Sequence, residues 1–307
     1  MARAVPVIDI EPYRTGADPD SVVAAVLDSC RNTAFLVVTG HGVDAALIDD
    51  AVRQLTSFFD QPTETKSQYH HESRGSGYYE FANMALARSN GDADSPPDLR
   101  EELRVRRLDV IDWRSPLWNG DEKLRDAVSA YYTAMDELAD TIMGIFALAL
   151  ERPVDYFRQF TNRHDSQLGI YHYPPMAQPP LPGQLRGGAH TDFGSLTLLS
   201  GSPSVHGLQV WNGTDWEYAP AVEGSIVINI GDLMQRWTND QWNSTLHRVA
   251  NPVEGDWDKA RYSLAFFHQP HHDAEITSLD TTSPAKYPAI TSGEHFQRKL
   301  EALVLGS

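Results

Sequence analysis

The spacing of apolar residues divides the chain into two textures. In the first half they recur at helical intervals over residues 18–31, 44–60 and 121–150. The last is the strongest pattern. Leu124, Val128, Tyr131, Met135, Leu138, Ile142, Ile145 and Leu148 share one stripe, which predicts a long helix facing a core. Asp18 and Asp20 stand where the first helix would begin and suit its dipole. Two β-rich runs interrupt the helices, at residues 5–10 and at Phe35–Thr39, the second closed by a Gly40-His41-Gly42 turn. Residues 70–98 carry little periodicity and many Gly, Ser, Asn and Asp. They predict a long irregular segment, a kind of loop that often carries function.

From Gln167 to about Ile276 the period shortens. β-Rich runs at residues 168–173, 196–199, 208–211, 225–230, 247–250 and 262–268 are separated by turn residues, the pattern of a sandwich or barrel such as a jelly roll. The Pro-rich stretch at residues 174–183 reads as a surface loop, and residues 293–305 as a closing helix. No internal repeat is present. The expected class is α+β, mainly β with flanking helices. Residues 1–165 form a mixed, mostly helical region that packs on a β core at residues 166–307, the two making one structural unit.

Composition narrows the partners. The 307 residues are 41% hydrophobic and 22% charged, a balance suited to a globular chain with a large core that needs no disulfide or structural metal to fold. The single cysteine, Cys30, excludes an intramolecular disulfide and a Cys-rich zinc site, and its apolar surroundings predict a buried, inert thiol. A formal net charge of −17 repels phosphate backbones and anionic lipid, so neither nucleic acid nor a membrane is the expected partner. No signal-peptide stretch opens the chain, and no window approaches 18 uninterrupted apolar residues, which makes the cytoplasm the default address. Nothing in these patterns specifies an oligomeric state.

The most informative local sequence surrounds His190 and Asp192. In an extended segment, residues i and i+2 point the same way, so an imidazole and a carboxylate would converge as two metal ligands. Alone the pattern is weak. Among 12 histidines, roughly one His-x-Asp arises by chance at ordinary Asp frequencies, and His271-His272-Asp273 is such a decoy. Context separates the two. His247 follows Asp192 by 55 residues, and two histidines with one carboxylate form the facial triad that leaves positions open on non-haem Fe(II). The decoy is followed only by His295. Fourteen residues past His247 come Arg261 and Ser263, again at i and i+2. They could hold a carboxylate through a guanidinium fork and a hydroxyl. Arg74-Gly75-Ser76 has the same spacing but precedes the triad in a Gly-rich loop and is read as chance. His41 is expected to be structural, and the pairs His70-His71 and His271-His272 to be solvated.

His-x-Asp, a later His and then Arg-x-Ser resemble the 2-oxoglutarate/Fe(II)-dependent dioxygenases, within them the isopenicillin-N-synthase-like subgroup. The resemblance extends along most of the chain. Val5-Pro6-Val7-Ile8-Asp9 resembles the family's opening, and Ala34-Phe35-Leu36-Val37-Val38-Thr39-Gly40-His41-Gly42-Val43 its first internal motif. Phe58-Phe59-Asp60-Gln61-Pro62 with Lys66, then Gly77-Tyr78, Tyr171-His172-Tyr173-Pro174-Pro175 and Asn229-Ile230-Gly231-Asp232 follow in the family's order.

The resemblance implies a double-stranded β-helix (jelly-roll) core. It implies His190, Asp192 and His247 as iron ligands, with Arg261 and Ser263 on the distal carboxylate of 2-oxoglutarate and Tyr173 supporting it. Many relatives have Asn where this chain has Tyr171, so that contact is not carried over. Asn229 to Asp232 would be a structural turn, and the segment with Asp98, Arg100 and Glu101 mainly architectural. The pocket for a small-molecule substrate would be bordered by Tyr78, Tyr79, Phe81, Met234, Trp237 and Phe267. The implied cofactors are Fe(II), 2-oxoglutarate and O₂, and the implied reaction couples formation of succinate and CO₂ to hydroxylation, desaturation, cyclisation or epoxidation of a metabolite, with natural-product biosynthesis the preferred context. Two alternatives stand beside it: an oxidase/cyclase of the isopenicillin N synthase type that works without 2-oxoglutarate, and a non-catalytic binding module of the same fold. Because 2-oxoglutarate is a dianion and the chain is strongly acidic, its site must be locally positive.

Overall fold

The computed structural model describes residues 4–201, 207–253 and 256–305; Met1, Ala2 and Arg3, the start of the stretch read for a targeting signal, lie outside them. Two facing sheets build the core. The major sheet has nine strands, in the order Val7–Asp9, Phe35–Thr39, Ile226–Ile230, Leu196–Gly201, Arg261–His268, Gln167–Tyr173, Glu101–Arg106, Ser76–Tyr79 and His70–His71. The minor sheet has four, in the order Trp216–Tyr218, Leu208–Trp211, His247–Val249 and Gly187–His190. Within these two sheets all pairings are antiparallel except that of the first two strands of the major sheet. This is the jelly-roll core with flanking helices. No described helix is long and apolar enough to cross a membrane.

The strand alternation assigns the two faces of the major sheet. On Arg261–His268, residues Tyr262, Leu264 and Phe266 turn towards the helices. Tyr262 stacks on His172, Leu264 offers its carbonyl to the Tyr131 hydroxyl, and Phe266 packs edge-on against Tyr132. The intervening Ser263, Ala265 and Phe267 line a cavity between the sheets. The long helix is Glu122–Ala149, capped by Asp121, which accepts from the Leu124 N–H at 3.0 Å. Its predicted stripe is buried except at Leu148, which is 37% exposed near the helix end. Tyr131 and Tyr132 tie it to the sheet by hydrogen bonds with Ser200 Oγ and to the Ser166 carbonyl. Helices Pro19–Asn32 and Ala45–Phe59 complete this layer. Cys30 is buried there, and burial pushes its thiol up, away from reactivity.

Residues 1–165 contribute five of the nine strands of the major sheet, so the sheet runs across the expected boundary at 165 without a break. The segment at 70–98 is less irregular than its composition predicts, since it holds the short strands His70–His71 and Ser76–Tyr79. Glu101–Arg106 has no counterpart among the expected runs. Its alternating Leu103 and Val105 are fully buried, but charged residues occupy the other face and mask the β signal.

That strand is fastened from its helical side by a buried cluster. Lys66 Nζ lies 2.6 Å from Glu101 Oε2 and donates to the Phe59 carbonyl at 3.0 Å; Tyr78 donates to the same carboxylate, and His172 Nδ1 lies 2.7 Å from Glu101 Oε1. Burial raises the Glu101 carboxyl, but these hydrogen bonds and the Lys66 charge outweigh it and hold the group below its usual range. Its contribution to stability is therefore present at neutral pH and is lost as pH falls through that lowered value. Lys66→Met should destabilise the fold by about 3–5 kcal/mol at pH 7, because it removes the cation that compensates a buried carboxylate. Urea unfolding checks this, and a loss under about 1 kcal/mol would mean that the cluster is solvated.

Candidate metal centre

His190 ends strand Gly187–His190, and His247 begins strand His247–Val249; the two are direct cross-strand partners. Asp192 lies two residues past His190, where the chain leaves the minor sheet. The imidazole rings sit 4.3 Å apart at 52°, and Asp192 Oδ1 is 3.7 Å from both Nε2 atoms. One candidate ligand atom from each residue falls within 4.8 Å of the others, and among the described residues this is the one such group of His, Cys and carboxylate side chains.

Each donor is aimed by a partner. His190 Nδ1 is 2.8 Å from the Gly188 carbonyl and His247 Nδ1 is 3.1 Å from the Thr245 carbonyl. A carbonyl only accepts, so each Nδ1 carries the proton and each Nε2 presents its lone pair inward. Asp192 Oδ2 accepts from Thr197 Oγ1 at 2.6 Å and from Asn229 Nδ2 at 2.7 Å, which leaves Oδ1 facing the imidazoles. The Asp232 N–H holds the Asp192 carbonyl at 2.7 Å, and Phe35 packs edge-on against the His247 ring. Burial, reinforced by His247, pushes His190 below its ordinary value and favours the neutral ring. Burial raises Asp192, but the two histidines and the two hydrogen bonds reverse that and keep it ionised. Two imidazoles and a carboxylate fit a divalent cation of intermediate softness such as Fe(II).

A second feature adjoins the same cavity, which Tyr173 and Ser263 line while Arg261 and Arg186 stand behind the lining. Arg261 starts the central strand of the major sheet opposite Tyr173, and Ser263 stands opposite Tyr171. Arg261 Nη1 donates to Ser263 Oγ, the guanidinium carbon lies 5.0 Å from the Tyr173 ring centre, and Nε is buried without a partner. Burial lowers this guanidinium, and Tyr173 only partly counters. Arg186, 1% exposed, has Nε and Nη1 buried and unpartnered, and burial together with Arg261 pushes it down to about 10. Burying cations without counterions costs several kcal/mol, so this end of the site fits a carboxylate. Arg186 was not among the expected residues; it precedes the Gly-rich strand and obeys no spacing rule.

The cavity has a volume of about 510 Å³, and Tyr173, His190, Asp192, His247, Ser263 and Phe267 all reach its wall. The other expected pocket residues do not line it. Tyr78 and Tyr79 are adjacent on one strand and so face opposite ways. Tyr78 points into the core and bonds Glu101, whereas Tyr79 stacks under Arg104, 4.6 Å from its guanidinium carbon. Phe81 is 47% exposed beyond the strand end. Met234 and Trp237 sit on helix Asp232–Trp237, which turns its apolar side into the core. Met234 is fully buried and Trp237 packs on Phe157 and Phe160.

Several lining residues were not anticipated: Tyr171 in the cavity wall, and Phe296 and Leu300 on helix Ser292–Leu305. Thr197 and Asn229 were missed as supports of Asp192, although an Asn inside the apolar run Ile226–Ile230 is itself a signal. His41 is structural: it accepts from the Val43 N–H and bonds the Gly224 carbonyl. His272 of the decoy is exposed at the cavity mouth, and Asp273 is exposed.

Comparison with known proteins agrees with this geometry. Residues 163–270 match the family model of the 2OG-Fe(II) oxygenase superfamily, and residues 5–120 match the N-terminal model of non-haem dioxygenases in morphine synthesis. The chain is 30% identical over 297 residues to the 2-oxoglutarate-dependent dioxygenase thnC of Trichoderma harzianum, covering 92% of this chain and 89% of that one. It is 28% identical over 319 residues to validamycin A dioxygenase of Streptomyces hygroscopicus subsp. limoneus, covering 97% and 86%. The crystal structure of a full-length Neurospora crassa protein in complex with alpha-KG and thymine superimposes with a TM-score of 0.85 at 26% identity, covering 99% of this chain and 97% of that one. The chain therefore belongs to the 2OG-Fe(II) oxygenase superfamily, and it is a non-haem dioxygenase that uses Fe(II), 2-oxoglutarate and O₂.

Proposed function

We propose that His190, Asp192 and His247 hold Fe(II), that Arg261, Ser263 and Tyr173 seat the distal carboxylate of 2-oxoglutarate, and that the protein oxidises a small molecule, with succinate and CO₂ as co-products. The observation that carries this reading is the orientation of the donors. Among the described residues, Nε2, Nε2 and Oδ1 have no hydrogen-bonding partner of their own, whereas every other polar atom of the three side chains is engaged. When bound, Fe(II) with 2-oxoglutarate and O₂ supplies the oxidising power that cleaves a substrate C–H bond. The chain's own residues position and enclose. Thr197 and Asn229 fix the carboxylate, the backbone carbonyls fix the imidazoles, and the buried Arg261 fixes the cosubstrate's orientation at one end of the cavity. Phe267 and helix Ser292–Leu305 border the remaining space for the substrate. A relative named for validamycin A and a structural neighbour holding thymine support a small molecule, and the first of these favours tailoring of a natural product. Residues 1–165 and 166–307 would act together, since both supply strands to the sheet that floors the cavity.

Oxygen uptake and succinate formation test the reading. Both should require Fe(II) and 2-oxoglutarate, even without the prime substrate at a slow basal rate. Oxygen uptake indifferent to 2-oxoglutarate would instead favour the oxidase type. Asp192→Ala and His190→Ala should abolish metal binding, measured calorimetrically with Mn(II), while far-UV circular dichroism stays unchanged. Asn229→Ala and Thr197→Val should weaken it roughly 10- to 100-fold, the usual effect of removing a ligand's outer partner. Retention of full affinity in both would show that Asp192 needs no support. Arg261→Gln should weaken 2-oxoglutarate roughly 10- to 100-fold with Mn(II) affinity intact, as expected for about 1.5–3 kcal/mol of charge-assisted hydrogen bonding. An equal loss of both affinities would make Arg261 structural.

A further inference from the structure

Strand Glu101–Arg106 turns an unusual set of charges into the cavity. Arg100 just before the strand, Arg104, Arg106 and the following Arg107 line the cavity, against Glu102 and Asp165, and Arg100 lies 3.8 Å from Asp98 and 4.0 Å from Glu102. Most of these cations are occupied. Arg104 Nε donates to Glu102 Oε1 at 3.0 Å, and Arg107 Nε donates to His164 Nε2 at 3.1 Å. Arg106 differs. It makes no ion pair with any described residue, its Nε is buried without a hydrogen-bond partner, and its nearest ring is Phe296, 5.9 Å from the guanidinium carbon. Burial and the neighbouring Arg104 push it below its ordinary value, with Asp165 and Asp109 only partly offsetting them. An anion placed there would relieve both penalties.

Sheet register places Arg106 relative to the metal centre. Arg106 pairs with Gln167, Gln167 with Phe267, Phe267 with Thr197, and Thr197 with Asn229. Thr197 and Asn229 are the residues that hold Asp192. Arg106 is therefore on the same row as the supports of the metal centre, three strands or about 14 Å away. Arg261 lies six residues along the strand from Phe267, about 20 Å off, so the two cations stand at different ends of the sheet. Between Arg104 and the central strand the floor is made of Gly169 and Ala265. A Cβ at Gly169 would lie 2.5 Å from the Tyr171 hydroxyl oxygen and 3.0 Å from the Phe267 ring, so these two side chains lie directly over the floor there. Phe193, Phe267, Phe296 and Leu300 make the walls apolar.

We infer that the prime substrate is an organic acid, with its carboxylate on Arg106, an apolar body along Phe267 and Phe296, and the reacting carbon at the metal. This deepens the Fe(II)/2-oxoglutarate reading and rests on it. A monoanion fits better than a phosphate ester, because one cation is unpaired and the others already have partners.

The test uses the full chain loaded with Mn(II) and 2-oxoglutarate. Calorimetric titration compares 1-naphthaleneacetate, 4-phenylbutyrate and decanoate with their primary amides. The acids should bind at least about tenfold more tightly than the amides. Arg106→Gln should erase that preference and Arg106→Lys should keep part of it, with 2-oxoglutarate titration as the control for folding. Amides that bind as well as acids, no binding by any acid, or a preference unchanged in Arg106→Gln would each overturn the assignment. Failure of the wild type to bind 2-oxoglutarate would overturn the underlying reading, and this one with it.

Discussion

The period-two alternation of the major sheet is the constraint on which everything else depends. Each strand that feeds the site is covered on both faces, so one residue faces the helical layer and the next faces the cavity. On the central strand this puts Leu264 and Phe266 into the core and Ser263, Ala265 and Phe267 into the cavity. On the neighbouring strands the same rule directs Thr197 and Asn229 to Asp192, Gly169 to the cavity floor, and Arg104 and Arg106 to the wall. A slip of one residue in any pairing would exchange a core residue for a polar one. Chemistry and stability are thus specified by the same register.

Buried charge is the cost of that arrangement. The chain carries a net charge of −17, yet the described interior holds arginines that lack full compensation, Arg261 and Arg186 at one end and Arg106 at the other. A cavity that must accept a dianion in an acidic protein has to be positive locally, and low dielectric makes each guanidinium count for more there than on the surface. The strand that presents Arg104 and Arg106 is held from behind by Lys66, Tyr78 and His172 on Glu101. A hydrogen-bonded cluster on one face keeps in place the Arg104–Glu102 pair and the unpaired Arg106 on the other.

The clustering of His190, Asp192 and His247 was legible in the sequence because these residues come from short motifs with fixed spacing. His190 and Asp192 are two apart and His247 follows at a recognisable interval, so local geometry needs no knowledge of the fold. The jelly-roll texture was legible because its β-rich runs are short and separated by turn residues. Glu101–Arg106 was not, because the face it turns to the cavity is charged and reads as a solvated loop. Tyr78, Met234 and Trp237 were misplaced because position in a motif says nothing about which way a side chain points. Tyr78 and Tyr79 differ by one residue and by a whole face of the sheet. The support of Asp192 by Thr197 and Asn229 required the pairing of two strands that are distant in the chain, information that periodicity does not contain.

The two ends of the cavity therefore differ in origin. The two imidazoles at the metal end sit on the minor sheet and are aimed by their own backbone neighbours, Gly188 and Thr245, whereas Asp192, just past that sheet, is held by Thr197 and Asn229 of the major sheet. The opposite end is assembled from strand Glu101–Arg106 and helix Ser292–Leu305, more than 180 residues apart in sequence. The helix is anchored by Lys299 on Asp232, and Asp232 in turn receives the Thr191 hydroxyl between His190 and Asp192, two of the proposed ligands. Position of the helix and position of the ligand loop are thus mechanically linked through one carboxylate. A molecule seated between Phe296 and Arg106 would touch the helix that Lys299 ties to Asp232, so the distal wall and the loop between His190 and Asp192 are parts of one packed structure.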